Sequence, residues 1–212
     1  MYRKSVACAA LLALFTWTST TSGDTLNDEA NTLLQIRQYY LTLEKNWPAI
    51  PQRVRLSFAV AEDPEYFELP VQVSVVARTV GSFLRRSDSS LFSRNFLPYL
   101  LGAELSHDEI LDFYLNEVFL GRTCFGVTDA AVTYFGKSLE ELRLEEIAYL
   151  AGLPRSPVRM HPVRYHDRAI QRRNQVLSRM RAAEIITKEE LDAALQTDLV
   201  VLEPLGRCEI DE

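Results

Sequence analysis

The chain has few cysteines, no excess of base and almost no long apolar run, and each shortage removes a class of function. Three cysteines in 212 residues (Cys8, Cys124 and Cys208) have no zinc-ligand spacing. Against 29 Asp and Glu there are 23 Lys and Arg, a formal charge of −6. An acidic chain is poorly made for nucleic acid, whose phosphates are neutralised by Lys and Arg. The longest apolar run, residues 6–17, falls short of the roughly 20 residues that a comfortable membrane span requires. Internal repeats and low-complexity tracts are missing too. With 47% hydrophobic residues, what remains is one globular domain with a sizeable core and a short N-terminal accessory segment.

That accessory segment is the stretch "MYRKSVACAALLALFTWTSTTSG", residues 1–23. Arg3 and Lys4 precede the apolar run, and small polar residues follow it, the layout of a secretory signal peptide or a retained membrane anchor. Without its first 22 residues the chain has 21 bases against 29 acids, a charge of −8. Cys8 leaves with a cleaved signal. Cys124 and Cys208 remain, either as a disulfide of an exported protein or as two buried thiols.

Helix signals dominate the rest. Apolar residues recur at helical spacing over residues 27–45, within an N-terminal helix assigned to residues 24–47, and "NWPAIP" then breaks the chain. Residues 53–62 resume the helical pattern. The run "LPVQVSVVARTVGSFL" fits helix or strand, and "RRSDSS" reads as a loop. Ser106 with Glu109, Ser138 with Glu141, and Thr187 with Glu190 are spaced as capping boxes, and Gly136 sits where a left-handed residue closes a helix. A basic helix is expected over residues 167–183. The fold class is mostly α, in a main domain over residues 48–200 followed by a tail, 201–212.

The segments "EILDFYLN" (109–116), "GVTDAAVTYFGK" (126–137) and "LEEIAYLAGLPRSP" (144–157) come next, followed by "RRNQVLSRM" (172–180). In that order, and with "IPQRVRLSFAVAED" (50–63) upstream, they resemble the family 51 glycosyltransferases, the peptidoglycan glycosyltransferase domains of penicillin-binding proteins. The resemblance covers about residues 45–195. It implies a lysozyme-like domain of two lobes, here with a shortened membrane-proximal lobe, at the periplasmic or outer face of the cytoplasmic membrane. Such enzymes polymerise lipid II. One glutamate acts as base on the acceptor hydroxyl, and a second glutamate with a divalent cation, Mg²⁺ or Mn²⁺, assists departure of the lipid pyrophosphate.

On that pattern Glu62 is the general base, and Asp63, Ser74, Arg94, Asn116 and Lys137 are the substrate-contacting positions. A base of this kind must lie within reach of a hydroxyl and have its pKa raised by burial. The residues themselves also admit plainer roles: Asn116 bonding backbone, Tyr134 packing, Lys137 as a solvated base. Elsewhere the pattern erodes. Leu69 stands where the family has histidine, and Ala77, Arg78 and Thr79 replace polar residues of its second motif. Its third motif has Arg94 with no acid before Glu104, and Pro98 stands where helix is expected.

These features imply an exported family member that binds glycan strands, lipid II or a cell-wall synthesis partner at the membrane surface, with weak or no catalysis and no assured cofactor. The alternatives are an active lipid II polymerase using Glu62, and a glycan-cleaving enzyme working with Glu62 alone.

Overall fold

The computed structural model describes residues 22–70, 74–87 and 97–208. Residues 1–21 of the expected signal peptide or anchor (1–23), and Arg94, lie outside the described residues. The first half runs α1 (Ser22–Glu44), α2 (Gln52–Glu62), α3 (Val75–Ser87), α4 (Leu97–Glu104) and α5 (His107–Glu117). A hairpin follows, β1 (Phe119–Gly121) and β2 (Cys124–Phe125). Then come α6 (Val127–Phe135), α7 (Leu144–Gly152), α8 (His166–Ala182) and α9 (Lys188–Gln196). The described chain is mostly α.

Two of the three expected capping boxes form. Ser106 Oγ accepts from Glu109 N at 3.2 Å while the Glu109 carboxylate accepts from Ser106 N at 2.8 Å. Thr187 and Glu190 repeat the arrangement at 3.2 and 2.8 Å. Each pair satisfies two N–H groups that a helix start leaves without partners, and losing such a cap costs about 1 kcal/mol. At Ser138 the expectation fails. Glu141 accepts from Ser138 N at 2.9 Å, but this closes a turn, and the helix starts only at Leu144. Leu139 and Leu142 are buried, so packing of the turn overrides the local signal. Pro98 breaks nothing, because it is the second residue of α4, where no N–H is needed. Gly136 closes α6 in the left-handed conformation, with φ 67°.

The helices form two groups. Helices α7 and α9 pack on α8, and α2 lies against both α7 and α8. Helices α1, α3, α4 and α5 form the second group, joined to the first where α2 meets α5 and α3. One core runs through both, with Phe58, Leu101, Leu115, Leu150 and Val176 fully buried. Each such side chain stabilises by about 1.5–3 kcal/mol relative to exposure. The link between α3 and α4, where the shortened lobe is expected, falls on residues 88–96, outside the described residues.

The hairpin is mounted rigidly. Its turn holds Arg122 and Thr123 at φ 56° and 64°, a strained region for residues with a Cβ. The tail offsets that strain. Cys208 N donates to Arg122 O at 3.0 Å, and Thr123 Oγ1 donates to Cys208 O at 2.7 Å. Arg122 Nε donates to Gly206 O at 2.7 Å. Cys124 and Cys208 are joined as a disulfide, with Cα atoms 4.9 Å apart, which settles the choice between a bond and two thiols. Gly126 has φ 81°, and a Cβ there would lie 2.6 Å from Asn116 O, so the chain passes too closely for any side chain.

Candidate active site

Between the two groups opens a cleft of about 470 Å³ lined by Glu62, Val75, Thr79, Tyr114, Pro154 and Arg155. Glu62 is the last residue of α2, after the small and apolar run Phe58, Ala59, Val60 and Ala61 that carries it inward. Its side chain is 5% exposed, and Oε1 is buried with no hydrogen-bond partner. Burial therefore raises its pKa, against the opposing pull of Arg155, Arg172 and Arg179. Tyr114, buried beside it, is pushed well above its ordinary value, first by burial and then by the Glu62 charge.

The three arginines are held by the C-terminal carbonyls of α2, which lack partners within the helix. Arg172 Nη2 donates to Ala61 O at 3.1 Å, and Arg179 Nη1 to the same oxygen at 2.6 Å. Arg155 Nη2 donates to Glu62 O at 3.1 Å. Arg172 is only 7% exposed and its Nε donates to Gly152 O at 3.3 Å. Burial followed by its two like-charged neighbours lowers its pKa, while Glu62 works the other way. A single carboxylate thus sits within a frame of guanidiniums.

The other expected site residues do not gather there. Ser74 is fully buried and its Oγ accepts from Ala77 N at 3.0 Å, so it caps α3. Asn116 Nδ2 donates to Asp112 O at 2.8 Å, a bond within α5. Lys137 is no solvated base: its Nζ donates to both oxygens of the buried Glu146 carboxylate at 2.7 and 2.9 Å. Asp63 accepts from Glu65 N at 3.3 Å, outside the cleft lining. Glu104, the nearest acid after Arg94 in sequence, accepts from Arg37 Nε at 2.8 Å. Leu69, in the place of histidine, gives its carbonyl to His107 Nε2 at 3.0 Å, and the buried Tyr66 donates to His107 O at 2.8 Å. The segment after Glu62 is thus docked on the start of α5.

The arginines of "RSPVRMHPVRYHDRAIQRR" (155–173) read in sequence either as facing an anionic partner or as a solvated helix face, and Arg155, Arg172 and Arg179 stood outside the expected site residues. Arg172 and Arg179 are two helical turns apart on α8 and share a face, a signal present in "RRNQVLSRM" but equally read as a solvated stripe. Of the other arginines of that region, Arg173 turns inward to Thr197 O at 2.6 Å, and Arg159 and Arg168 line a second groove with Gln171 and Gln175, which Arg172 also borders.

The cleft donors do not suit a divalent cation. Hard cations require several oxygen ligands, and the lining offers one carboxylate beside Arg155. No group of three or more His, Cys, Asp or Glu that could hold a metal occurs among the described residues.

Glu62 holds its proton more tightly folded than unfolded. The stability it contributes is therefore whole below the ordinary glutamate range and is lost as pH rises through its raised value. Glu62→Gln, which cannot ionise, is expected to melt with the parent near pH 4. Near pH 8 it should melt a few degrees higher, roughly 2–4 °C, in circular-dichroism melts.

Among the described residues no helix is long and apolar enough to cross a membrane. A family profile described as Transglycosylase matches residues 89–181. Penicillin-binding protein 1A of Haemophilus influenzae is 53% identical over 177 residues, 71% of this chain and 21% of that protein. Penicillin-binding protein 1A of Escherichia coli is 45% identical over 97 residues, 46% of this chain and 11% of that protein. The chain therefore spans about a fifth or less of the length of these relatives. The crystal structure of the Haemophilus influenzae penicillin-binding protein 1A is also similar, with a TM-score of 0.51 and 38% identity over 72% of this chain and 17% of that one. By these matches and its mostly helical fold, the chain belongs to the family 51 glycosyltransferases through its transglycosylase domain.

Proposed function

We propose that the chain is an exported, glycan-binding member of this family, recognising lipid II or the strands made from it at the Glu62 cleft, with weak or no polymerase activity. The observation that carries this reading is the composition of the site: one buried carboxylate and one arginine, Arg155, in the cleft lining, with Arg172 and Arg179 bonded to the end of α2 outside that lining, and no second acid among the described lining residues. Guanidiniums at a helix end suit a pyrophosphate, which accepts charge-assisted hydrogen bonds. Polymerisation also requires a proton donor or an equivalent charge for the departing group, and losing one acid–base partner costs about 10²–10⁴ in rate.

One observation favours a second reading, an active polymerase. Glu62 Oε1 is buried and unpaired, with its pKa raised, as a base waiting for a hydroxyl would be. Both readings meet in one experiment. Fluorescent lipid II is offered to the chain and to Glu62→Gln, with and without Mg²⁺ or Mn²⁺, and both binding and polymer are measured. The expected result is binding by both proteins, within about threefold, and little or no polymer from either. Polymer from the parent alone gives the second reading. Absence of binding by either protein overturns both.

A further inference from the structure

A second groove, of about 340 Å³, runs beside α8 and shares no lining residue with the Glu62 cleft. Arg168, Gln171, Arg172 and Gln175 stand on one face of the helix, by their spacing of three and four residues. Arg159 and Met160, from the loop ahead of α8, complete the lining, and no acid belongs to it. Arg172 is buried and donates to Gly152 O and Ala61 O. Arg159 and Arg168 are exposed, and neither side chain has an ion pair or hydrogen bond among the described residues. On a chain whose net charge is −6, positive charge left in this way without an acid marks a surface for an anionic partner.

The loop ahead of α8 is apolar as well as basic. Val158, Val163 and Tyr165 are 75%, 52% and 43% exposed, and the Tyr165 ring lies 5.3 Å from the Arg168 guanidinium. The loop is bonded in place: Tyr149 Oη donates to Met160 O at 3.0 Å, His166 Nδ1 to Pro162 O at 3.0 Å, and Tyr165 N to His161 O at 2.9 Å. A surface fixed in advance loses little freedom on binding. The glutamines decide the chemistry of the partner, because a carboxamide both donates and accepts. Phosphate oxygens chiefly accept and would leave the two glutamine carbonyls unmatched. An anionic bilayer brings charge and apolar contact but no amide. An acidic peptide brings all three: carboxylates for the guanidiniums, N–H and C=O groups for the carboxamides, and side chains for the apolar loop. Size agrees, since pockets for drug-sized ligands start at about 300 Å³, and a lone phosphate would fill little of this one.

We propose that this groove and its loop dock an acidic, extended peptide segment of a partner protein. Arg159 and Arg168 hold its carboxylates, Gln171 and Gln175 its backbone amides, and Val158 and Tyr165 its apolar side chains. The site is separate from the Glu62 cleft, so it stands whether or not glycan binds there.

The probe is a fluorescein-labelled, end-blocked peptide of alternating glutamate and leucine, titrated with the full chain and read by fluorescence anisotropy. The parent is expected to bind it, more weakly as salt rises. The double variant Arg159→Gln with Arg168→Gln should bind about tenfold or more weakly. A peptide with glutamine in place of glutamate should lose as much on the parent. Both arginines are exposed, so the variant is expected to fold, with a melting curve that overlays the parent's. Gln171→Leu with Gln175→Leu should weaken binding several-fold, which separates a peptide from simple charge. No binding of the peptide by the parent, or equal binding by the parent and the arginine variant, overturns the proposal, as does equal binding of the two peptides. If inorganic phosphate binds the parent as tightly as the peptide does, the groove takes point anions and the proposal falls. If phosphatidylglycerol vesicles bind the parent and not the arginine variant, while the peptide binds neither, the surface is a membrane contact and the proposal is overturned.

Discussion

Replacing Cys124 and Cys208 together by serine should lower the melting temperature by roughly 8–16 °C, a loss of about 4 kcal/mol. The bond joins residues 84 apart, so in the unfolded chain it removes the freedom of a long loop. Between a 15-residue loop at about 3 kcal/mol and a 100-residue loop at about 4.7, this one lies near the upper end. The folded state loses something further. Without the link, the tail is held to the hairpin only by its bonds to Arg122 and Thr123, which also stabilise the strained turn. Release of residues 204–208 should therefore be local as well as global. Hydrogen exchange at Cys208 N, bonded to Arg122 O, is expected to accelerate more than exchange within α8. Equal acceleration at both places would show that only the unfolded state feels the bond.

Arg172→Met is expected to cost about 3–5 kcal/mol, the range for removing one partner of a buried charge arrangement. Methionine fills the space of the stem, so the loss is electrostatic and in hydrogen bonds rather than in packing. Gly152 O loses the Arg172 donor, and a buried acceptor left unmade costs about 1–3 kcal/mol, while Ala61 O keeps its bond from Arg179. Glu62 loses one of the three positive charges that draw its pKa down, so its carboxyl should titrate higher still. A ¹³C-detected titration of the Glu62 carboxyl, beside thermal melts, separates the two effects. Arg172→Lys retains the charge but not the two-way reach, and should recover most of the Glu62 titration while regaining little stability. An unmoved Glu62 in Arg172→Met would mean that Arg155 and Arg179 alone set its environment.

Much of the frame was legible because its signals are local. Ser106 and Glu109, or Thr187 and Glu190, are three residues apart and need nothing else to form. The box at Ser138 failed because Leu139 and Leu142 had a core to reach, and tertiary packing outweighs a cap worth about 1 kcal/mol. The hairpin was missed for another reason: strands of three and two residues are too short to show alternation. Of the site, Glu62 was legible through its surrounding motif. Ser74 and Lys137 are engaged by a nearby backbone and a carboxylate, which sequence does not show, whereas Asn116 bonds backbone as its plainer reading has it. The arginines come to α2 from residues 93 to 118 positions away, a proximity that only the fold creates.

The guanidinium frame also acts at a distance. The protein as a whole is negative, so an anion wandering toward most of its surface is turned away. Arg155 is exposed at the cleft mouth, and its charge acts on solutes within a Debye length of about 8 Å at physiological salt. The repelling exterior and the attracting mouth together sort encounters by where they land, before any contact is made. On the proposed reading, a phosphate-bearing molecule is expected to arrive with its charged group toward Arg155, and added salt to erode that bias in arrival more than it hastens escape.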